Sequence, residues 1–197
     1  MTNNTNRSKD LLVKVPQITI YFWIIKVLAT TVGETFADFL NVQLGLGLNG
    51  TSIATFVGLA LILFFQFKGE GYIPPVYWLT IVLISIAGTL VTDNLTDNIG
   101  VSLITSSIIF SICLAVVFTV WFMKEKTLAI HSIYTLTREA FYWLTILLTF
   151  ALGTAAGDLF AERLALGYAR SLLVFAGIIG LIAVLWQRKI INARSEE

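Results

Sequence analysis

Residues Tyr21–Asp38 read YFWIIKVLATTVGETFAD, Val76–Asp93 read VYWLTIVLISIAGTLVTD and Phe141–Asp158 read FYWLTILLTFALGTAAGD. Counted from the tryptophan of each string (Trp23, Trp78, Trp143), a glycine follows ten positions later (Gly33, Gly88, Gly153) and an aspartate fifteen positions later (Asp38, Asp93, Asp158), without a gap. The eleventh position carries Glu34, Thr89 or Thr154. Self-similarity in a constant register marks a tandem-repeat architecture. Each string runs on through a glycine-bearing turn (Gly45, Gly100 or Gly167) into a second apolar stretch. The repeating unit is therefore a helical hairpin.

The rest of the chain says where these hairpins sit. At 57% hydrophobic and 13% charged residues, the 197-residue chain falls outside the composition of soluble domains. Apolar stretches near the ~20 residues that span a bilayer run from about Ile18 to Asp38, Ser52 to Phe67, Val76 to Leu95, Val101 to Met123, Phe141 to Phe160 and Ala169 to Trp186. The expected fold is all-α: a polytopic membrane helical bundle of six transmembrane helices, arranged as three tandem, parallel helical-hairpin repeats. Its divisions are an N-terminal segment 1–16, repeats at 17–72, 73–137 (with a loop) and 138–188, and a tail 189–197. Lys26 interrupts the first apolar run, and that run shares the repeat pattern, so it reads as a retained span and not a cleaved leader.

Ten of the 13 basic residues fall on one side: Arg7, Lys9 and Lys14 before the first span, Lys68 after the second, Lys124, Lys126 and Arg138 between the fourth and fifth, and Arg188, Lys189 and Arg194 after the sixth. The positive-inside rule then places both termini in the cytoplasm. Trp23, Trp78 and Trp143 open the odd spans, while Trp121 and Trp186 close the fourth and sixth. All five are expected at the cytoplasmic boundary as an aromatic belt, with Trp23, Trp78 and Trp143 as interface anchors.

The repeat strings, together with the Lys14-Val15-Pro16 opening and IHSIYTLTREAFYW at Ile130–Trp143, resemble a bacterial membrane-protein family known as a tandem repeat of unknown function, two transmembrane helices per repeat with a characteristic tryptophan. The resemblance covers nearly the whole chain after Lys14. It implies a multi-pass protein of the bacterial inner membrane, and it implies no substrate. Fuller members of that family have four repeats. Three hairpins are few for enclosing a pathway in one chain, so self-association into a homo-oligomer is expected.

Fifteen helical residues rise ~22 Å, which puts the three aspartates near the far edge of a ~30 Å hydrocarbon core. If the parallel repeats surround an axis along the membrane normal, Asp38, Asp93 and Asp158 form an acidic ring. Residues four apart share a helix face, so Glu34, Thr89 and Thr154 extend each aspartate into a polar stripe. A carboxylate near a helix C-terminus is disfavoured by the macrodipole and needs another partner. One reading makes the aspartates hairpin clips, held by Ser52, Ser102 or Ser171, by helix-start N–H groups, or by Arg163 and Arg170 beside Asp158. The other makes them, with Glu34, sites for a cation or proton, because ionisable groups inside spans often mark ion pathways. Gly33, Gly88, Gly153 and Gly157 are expected at close helix contacts. Lys26 is expected to snorkel to the headgroups, and His131 to sit in a solvated loop.

These residues favour a transporter or channel for a small cation, a hard metal ion such as manganese or magnesium or else a proton. The metal candidates are Glu34, Asp38, Asp93 and Asp158, because carboxylate and hydroxyl oxygens suit hard cations. A non-transporting scaffold, partner subunit or sensor is the alternative. No catalytic constellation or cofactor motif is present, so neither an enzyme nor a cofactor is expected. The net charge of +1 and the lack of a basic patch argue against nucleic acid. Cys113, the only cysteine, rules out an intrachain disulfide. Partners are therefore the lipid bilayer, further copies of the chain and a small cation.

Overall fold

Apolar runs of this length satisfy their backbone polar groups in lipid only by coiling. In the computed structural model, which describes residues 13–187, six of them form helices: α1 Ile20–Asp38, α2 Gly47–Lys68, α3 Pro74–Asp93, α4 Leu103–Glu125, α5 Leu136–Asp158 and α6 Gly167–Gln187. All six are long and apolar enough to cross a membrane, as expected of a three-hairpin membrane bundle. The second span, the shortest in the sequence, becomes a full 22-residue helix. The expectations placed on Arg7, Lys9, Arg188, Lys189, Arg194 and the 189–197 tail fall outside the described residues.

Local chemistry sets the helix starts. Thr19, Ser102 and Thr135 each accept a hydrogen bond from a backbone N–H three residues on, the usual N-cap arrangement. Prolines occupy the first turn of α3, where the missing N–H has no helical partner in any case.

The odd helices do not stop at their aspartates. In each copy the five residues that follow form a wider π-helical turn, Phe39–Gln43, Asn94–Asn98 and Leu159–Arg163. The chain then reverses through a left-handed residue at Gly45 (φ 67°), Gly100 (φ 78°) and Ala165 (φ 52°). Each lies seven positions after its aspartate. The third equivalent of the turn glycine is thus Ala165, not Gly167 as expected; Gly167 corresponds to Gly47 and Ser102.

Packing between helices does not follow the hairpins. The two helices of one repeat meet chiefly at the π turn. Beyond it, the second helix packs on the first helix of the next repeat, α2 on α3 and α4 on α5, and the odd helices pack in succession, α1 on α3 and α3 on α5. The faces used are equivalent: Thr51, Thr55 and Gln66 are buried on α2, and Ser106, Phe110 and Trp121, each 55 positions later, on α4. α3 is consequently enclosed on most sides. α6 packs mainly against its own π turn, Leu159–Arg163.

Gly33 and Gly88 lie at close helix contacts. A Cβ on Gly33 would run into Ser85 Oγ, and one on Gly88 would lie 2.5 Å from Phe150 Cβ and 2.9 Å from Ala151 N. Gly153 and Gly157 break the expectation, since a Cβ on either meets nothing within 4 Å. The helix face that α1 and α3 press onto a neighbour is left open on α5.

The basic end of the bundle is solidly filled. Tyr77, Ile81, Trp121, Tyr142, Trp143 and Ile146 form one core with Val15 and Ile133, and the Tyr77 and Tyr142 hydroxyls hydrogen-bond at 2.6 Å. Trp143, expected as an interface anchor, is 3% exposed and lies inside this core against Tyr77 and Tyr142. Trp121 is equally buried. Trp23 does face outward, at 53% exposure, and Trp78 is half-buried, its indole N–H donating to the Tyr72 hydroxyl at 3.0 Å.

Candidate functional site

Above the aromatic core, towards the π turns, the odd helices separate around a cavity of about 660 Å³. α1 contributes Thr30, Glu34 and Asp38, four residues apart and so on one face; α3 contributes Thr89 and Asp93, α5 contributes Thr154, Gly153, Gly157 and Asp158, and the first turns of α6 contribute Ser171 and Phe175. All six expected pathway residues, Glu34, Asp38, Asp93, Asp158, Thr89 and Thr154, line this one space. Their helices bring them there because each repeat places them at the same register after its tryptophan and the odd helices pack side by side.

Within the wall, the Thr154 hydroxyl donates to Phe150 O at 3.2 Å and lies 3.2 Å from the Thr89 hydroxyl. With its one proton committed, Thr154 accepts from Thr89, and the two eleventh-position hydroxyls tie α3 to α5. Glu34, the third member of that set, has no such tie. Thr92 binds the same pair of helices by donating to Ala151 O at 2.9 Å.

Among the described residues, no hydrogen bond or ion pair reaches the carboxylates of Glu34, Asp38, Asp93 or Asp158, whereas Glu139 pairs with Lys14 and Glu125 with Arg138. The hydroxyls that could have clipped the aspartates are engaged elsewhere. Ser52 donates to Leu48 O and accepts from Asn94, Ser102 caps α4, and Ser171 donates to Gly167 O. The hairpins are braced instead by amides. Asn94 donates to Ser52 Oγ at 2.8 Å, while Asn98 donates to Asn49 Oδ1 at 3.1 Å and to Asn94 Oδ1 at 2.8 Å.

The π turn also changes the electrostatics expected for the aspartates. The helical rod continues five residues past each of them, so the partial negative charge of the last free carbonyls falls beyond them. Among the described residues, no three of histidine, cysteine, aspartate and glutamate are placed to hold one metal ion. The four carboxylates surround the space without converging on a point.

Lys26 lies on the same face of α1, one turn before Thr30. Instead of reaching back to the headgroups as expected, it is half-buried, its ammonium 5.8 Å from the ring centroids of both Phe22 and Phe150. That is within cation–π range of an aromatic face on α1 and another on α5. A positive charge therefore stands between the acidic cavity and the closed end of the bundle.

A second polar cluster lies at that closed end. Lys14 Nζ donates to Glu139 Oε2 at 2.7 Å and to Phe67 O at 2.9 Å; Gln66 Nε2 donates to Glu139 Oε1 at 2.9 Å, and the Trp143 indole to the same oxygen at 3.4 Å. Glu139 is 1% exposed. The cluster joins the segment before α1, the end of α2 and the start of α5. In the sequence Lys14 reads as a flanking charge and Glu139 as a loop residue. The available signal was the face Glu139, Tyr142, Trp143, Ile146, which puts the carboxylate among the buried aromatics. His131 lies on the short 3₁₀ turn Ile130–Ser132 and is exposed.

No curated protein and no solved structure matches the chain. The repeat described as Repeat of Unknown Function (DUF347) matches three times, at residues 21–72, 76–127 and 141–190. These matches take in each tryptophan–glycine–aspartate string and its return helix, and the chain belongs to the DUF347 repeat family.

Proposed function

We propose that this membrane protein is a transporter or channel for a small hard cation, of the magnesium or manganese class, and that the cavity between α1, α3, α5 and α6 is where the cation is taken up. The observation that carries this reading is the set of four cavity-lining carboxylates that, among the described residues, have no protein donor. Intramembrane carboxylates are costly and conventionally satisfied by partners within the protein or by a pathway's ion. What supports this reading over a structural clip is that Ser52, Ser102 and Ser171 are bonded elsewhere, that among the described residues no bond from a helix-start N–H, Arg163 or Arg170 reaches the aspartates, and that asparagines brace the hairpins.

The geometry favours a cation that keeps its water. Magnesium dehydrates reluctantly and is commonly held through one or two carboxylates with several waters retained. A broad cavity whose carboxylates do not converge suits that mode better than a dehydrating cage. Hydroxyl oxygens from Thr30, Thr89 and Ser171 supply hydrogen-bond partners for such a shell. With the basic loops in the cytoplasm, the cavity lies on the extracytoplasmic side, closed from the cytoplasm by Lys26, the Tyr77–Tyr142 core and the Lys14–Glu139 cluster.

The test is the elemental content of cells expressing the wild type or the variants Glu34→Gln, Asp38→Asn, Asp93→Asn and Asp158→Asn at matched membrane abundance, under separate magnesium and manganese loads. One metal should change with the wild type and revert with the variants. Unchanged metal content alongside a carboxylate-dependent proton flux would replace the metal by a proton, and no effect on either would leave the scaffold reading.

A further inference from the structure

The joints between repeats follow one rule. Gly33, at the tenth position of the first string, faces Val82, Ser85 and Ile86, the fourth, seventh and eighth positions after Trp78. Gly88, at the tenth position of the second string, faces Leu147, Phe150 and Ala151, the same three positions after Trp143. The fourteenth position obeys the same register: Ala37 packs with Ile86, and Thr92 donates to Ala151 O. Two joints within one chain therefore use a single donor face, at positions ten and fourteen, and a single acceptor face, at four, seven and eight.

One donor face and one acceptor face remain unused. Gly153 and Gly157, the third donor pair, meet nothing within 4 Å. Val27, Thr30 and Thr31, the remaining acceptor set, match Val82, Ser85 and Ile86 in character: valine, a hydroxyl and a second β-branched residue. Val27 is 64% exposed. The even helices repeat the pattern. Thr51 and Thr55 on α2, and Ser106 and Phe110 on α4, are buried against the following odd helix; of their equivalents on α6, which line the cavity, Ser171 is buried but Phe175 is only half-buried. Ile179, which corresponds to the buried Leu59, is 67% exposed.

Outward apolar residues are ordinary in a protein that faces lipid. What distinguishes this surface is the register, and it selects the occupant, because the acceptor set that fits the free donor face stands on α1 of the chain itself. We propose that a second copy of this chain seats its α1 between α5 and α6, against Gly153 and Gly157, and receives α1 of the first copy in return. The same contact is then made twice about a two-fold axis. The odd helices form one closed ring, in which Thr30 and Glu34, which line the cavity of their own chain, also come beside the α5 wall of the other copy. The cavity is completed by the partner. This inference does not rest on the cation reading, and it is tested without any transport assay.

In a Cys113→Ser background, chains carrying Thr31→Cys and differently tagged chains carrying Gly157→Cys are co-expressed, oxidised in the membrane and examined for a mixed disulfide. Position fourteen already bears a side chain in the formed joint, as Thr92, so Gly157→Cys is compatible with the contact. In parallel, the mass of the wild type and of Gly153→Leu is measured in nanodiscs. Gly153→Leu leaves the isolated fold intact, because its side chain enters open space, but it overpacks the joint. The expected results are a mixed disulfide that neither variant gives alone, a wild-type dimer, and a dimer fraction reduced about tenfold or more by Gly153→Leu. A monomeric wild type, a disulfide formed only within one chain when both cysteines are placed in it, or a Gly153→Leu dimer as populated as the wild type would each overturn the proposal.

Discussion

Lys14 and Glu139, 125 positions apart, form a buried ion pair with Nζ 2.7 Å from Oε2, and Gln66 and Trp143 donate to the other carboxylate oxygen. Removing one member leaves a charge uncompensated in the bundle, which costs roughly 3–5 kcal/mol, whereas replacing both by apolar residues of similar volume is commonly close to neutral. Lys14→Met and Glu139→Met should each lower the midpoint of thermal unfolding in detergent strongly, and the double variant should recover most of the loss. Additive losses in the double variant would show that the two side chains act independently.

The two glycine joints set the separation of the odd helices. Gly88→Ala places a Cβ against Phe150 and Ala151, and overpacking of this kind costs about 1–3 kcal/mol. Gly177→Ala on α6 meets nothing within 4 Å and should gain up to about 1 kcal/mol from helix propensity. Thermal midpoints of the two variants, compared side by side, should move in opposite directions.

Ala165 holds the left-handed turn that Gly45 and Gly100 hold in the other repeats. A β-carbon in that region costs about 1–2 kcal/mol, partly offset by the greater freedom glycine has in the unfolded chain. Ala165→Gly is expected to stabilise the third hairpin by about 0.5–1 kcal/mol and Gly100→Ala to destabilise the second by a similar amount. Protease resistance of the π-turn loops, with cleavage mapped by mass spectrometry, reads this directly.

Lys26 stands two helical turns below Glu34. At ~12 Å of rise and an effective dielectric constant of ~20, its charge opposes a cation beside Glu34 by ~1.4 kcal/mol. Lys26→Met should therefore raise cation occupancy of the cavity by up to roughly tenfold, as read by manganese titration of the purified protein followed by electron paramagnetic resonance. Unchanged or weaker binding would show that Lys26 acts by packing and not by charge.

Much of this architecture is legible along the chain because depth in a membrane is counted in residues. The tryptophan-to-glycine and tryptophan-to-aspartate spacings place the three aspartates at one level and Glu34 one helical turn deeper, and the cavity is lined by all four. Azimuth is not counted that way. A tryptophan at headgroup depth can face lipid, as Trp23 does, or the bundle, as Trp143 does, and only the packing of neighbouring helices decides. The π turns carry no side-chain signature, so the aspartates look like helix ends when the rod in fact continues. Ala165 was hidden because the nearest glycine, Gly167, suggested a turn two residues out of register. The Lys14–Glu139 pair depends on a contact between the segment before the first repeat and the start of the third, and neither residue's local neighbourhood points to the other. Open space around Gly153 is likewise visible only once Gly33 and Gly88 are seen to be filled.

The proposed function depends on Glu34, Asp38, Asp93 and Asp158, whose carboxylates have no donor among the described residues, handling a cation. Its most direct test is flux of magnesium and manganese into proteoliposomes reconstituted with equal amounts of the wild type and of the four-site variant Glu34→Gln, Asp38→Asn, Asp93→Asn and Asp158→Asn, each first shown to be folded and dimeric or monomeric alike. Flux of at least one of these ions is expected with the wild type and a loss of about tenfold or more in the variant, the effect of removing a few charge-assisted contacts. Equal flux through both proteins, or none through the wild type, would contradict it.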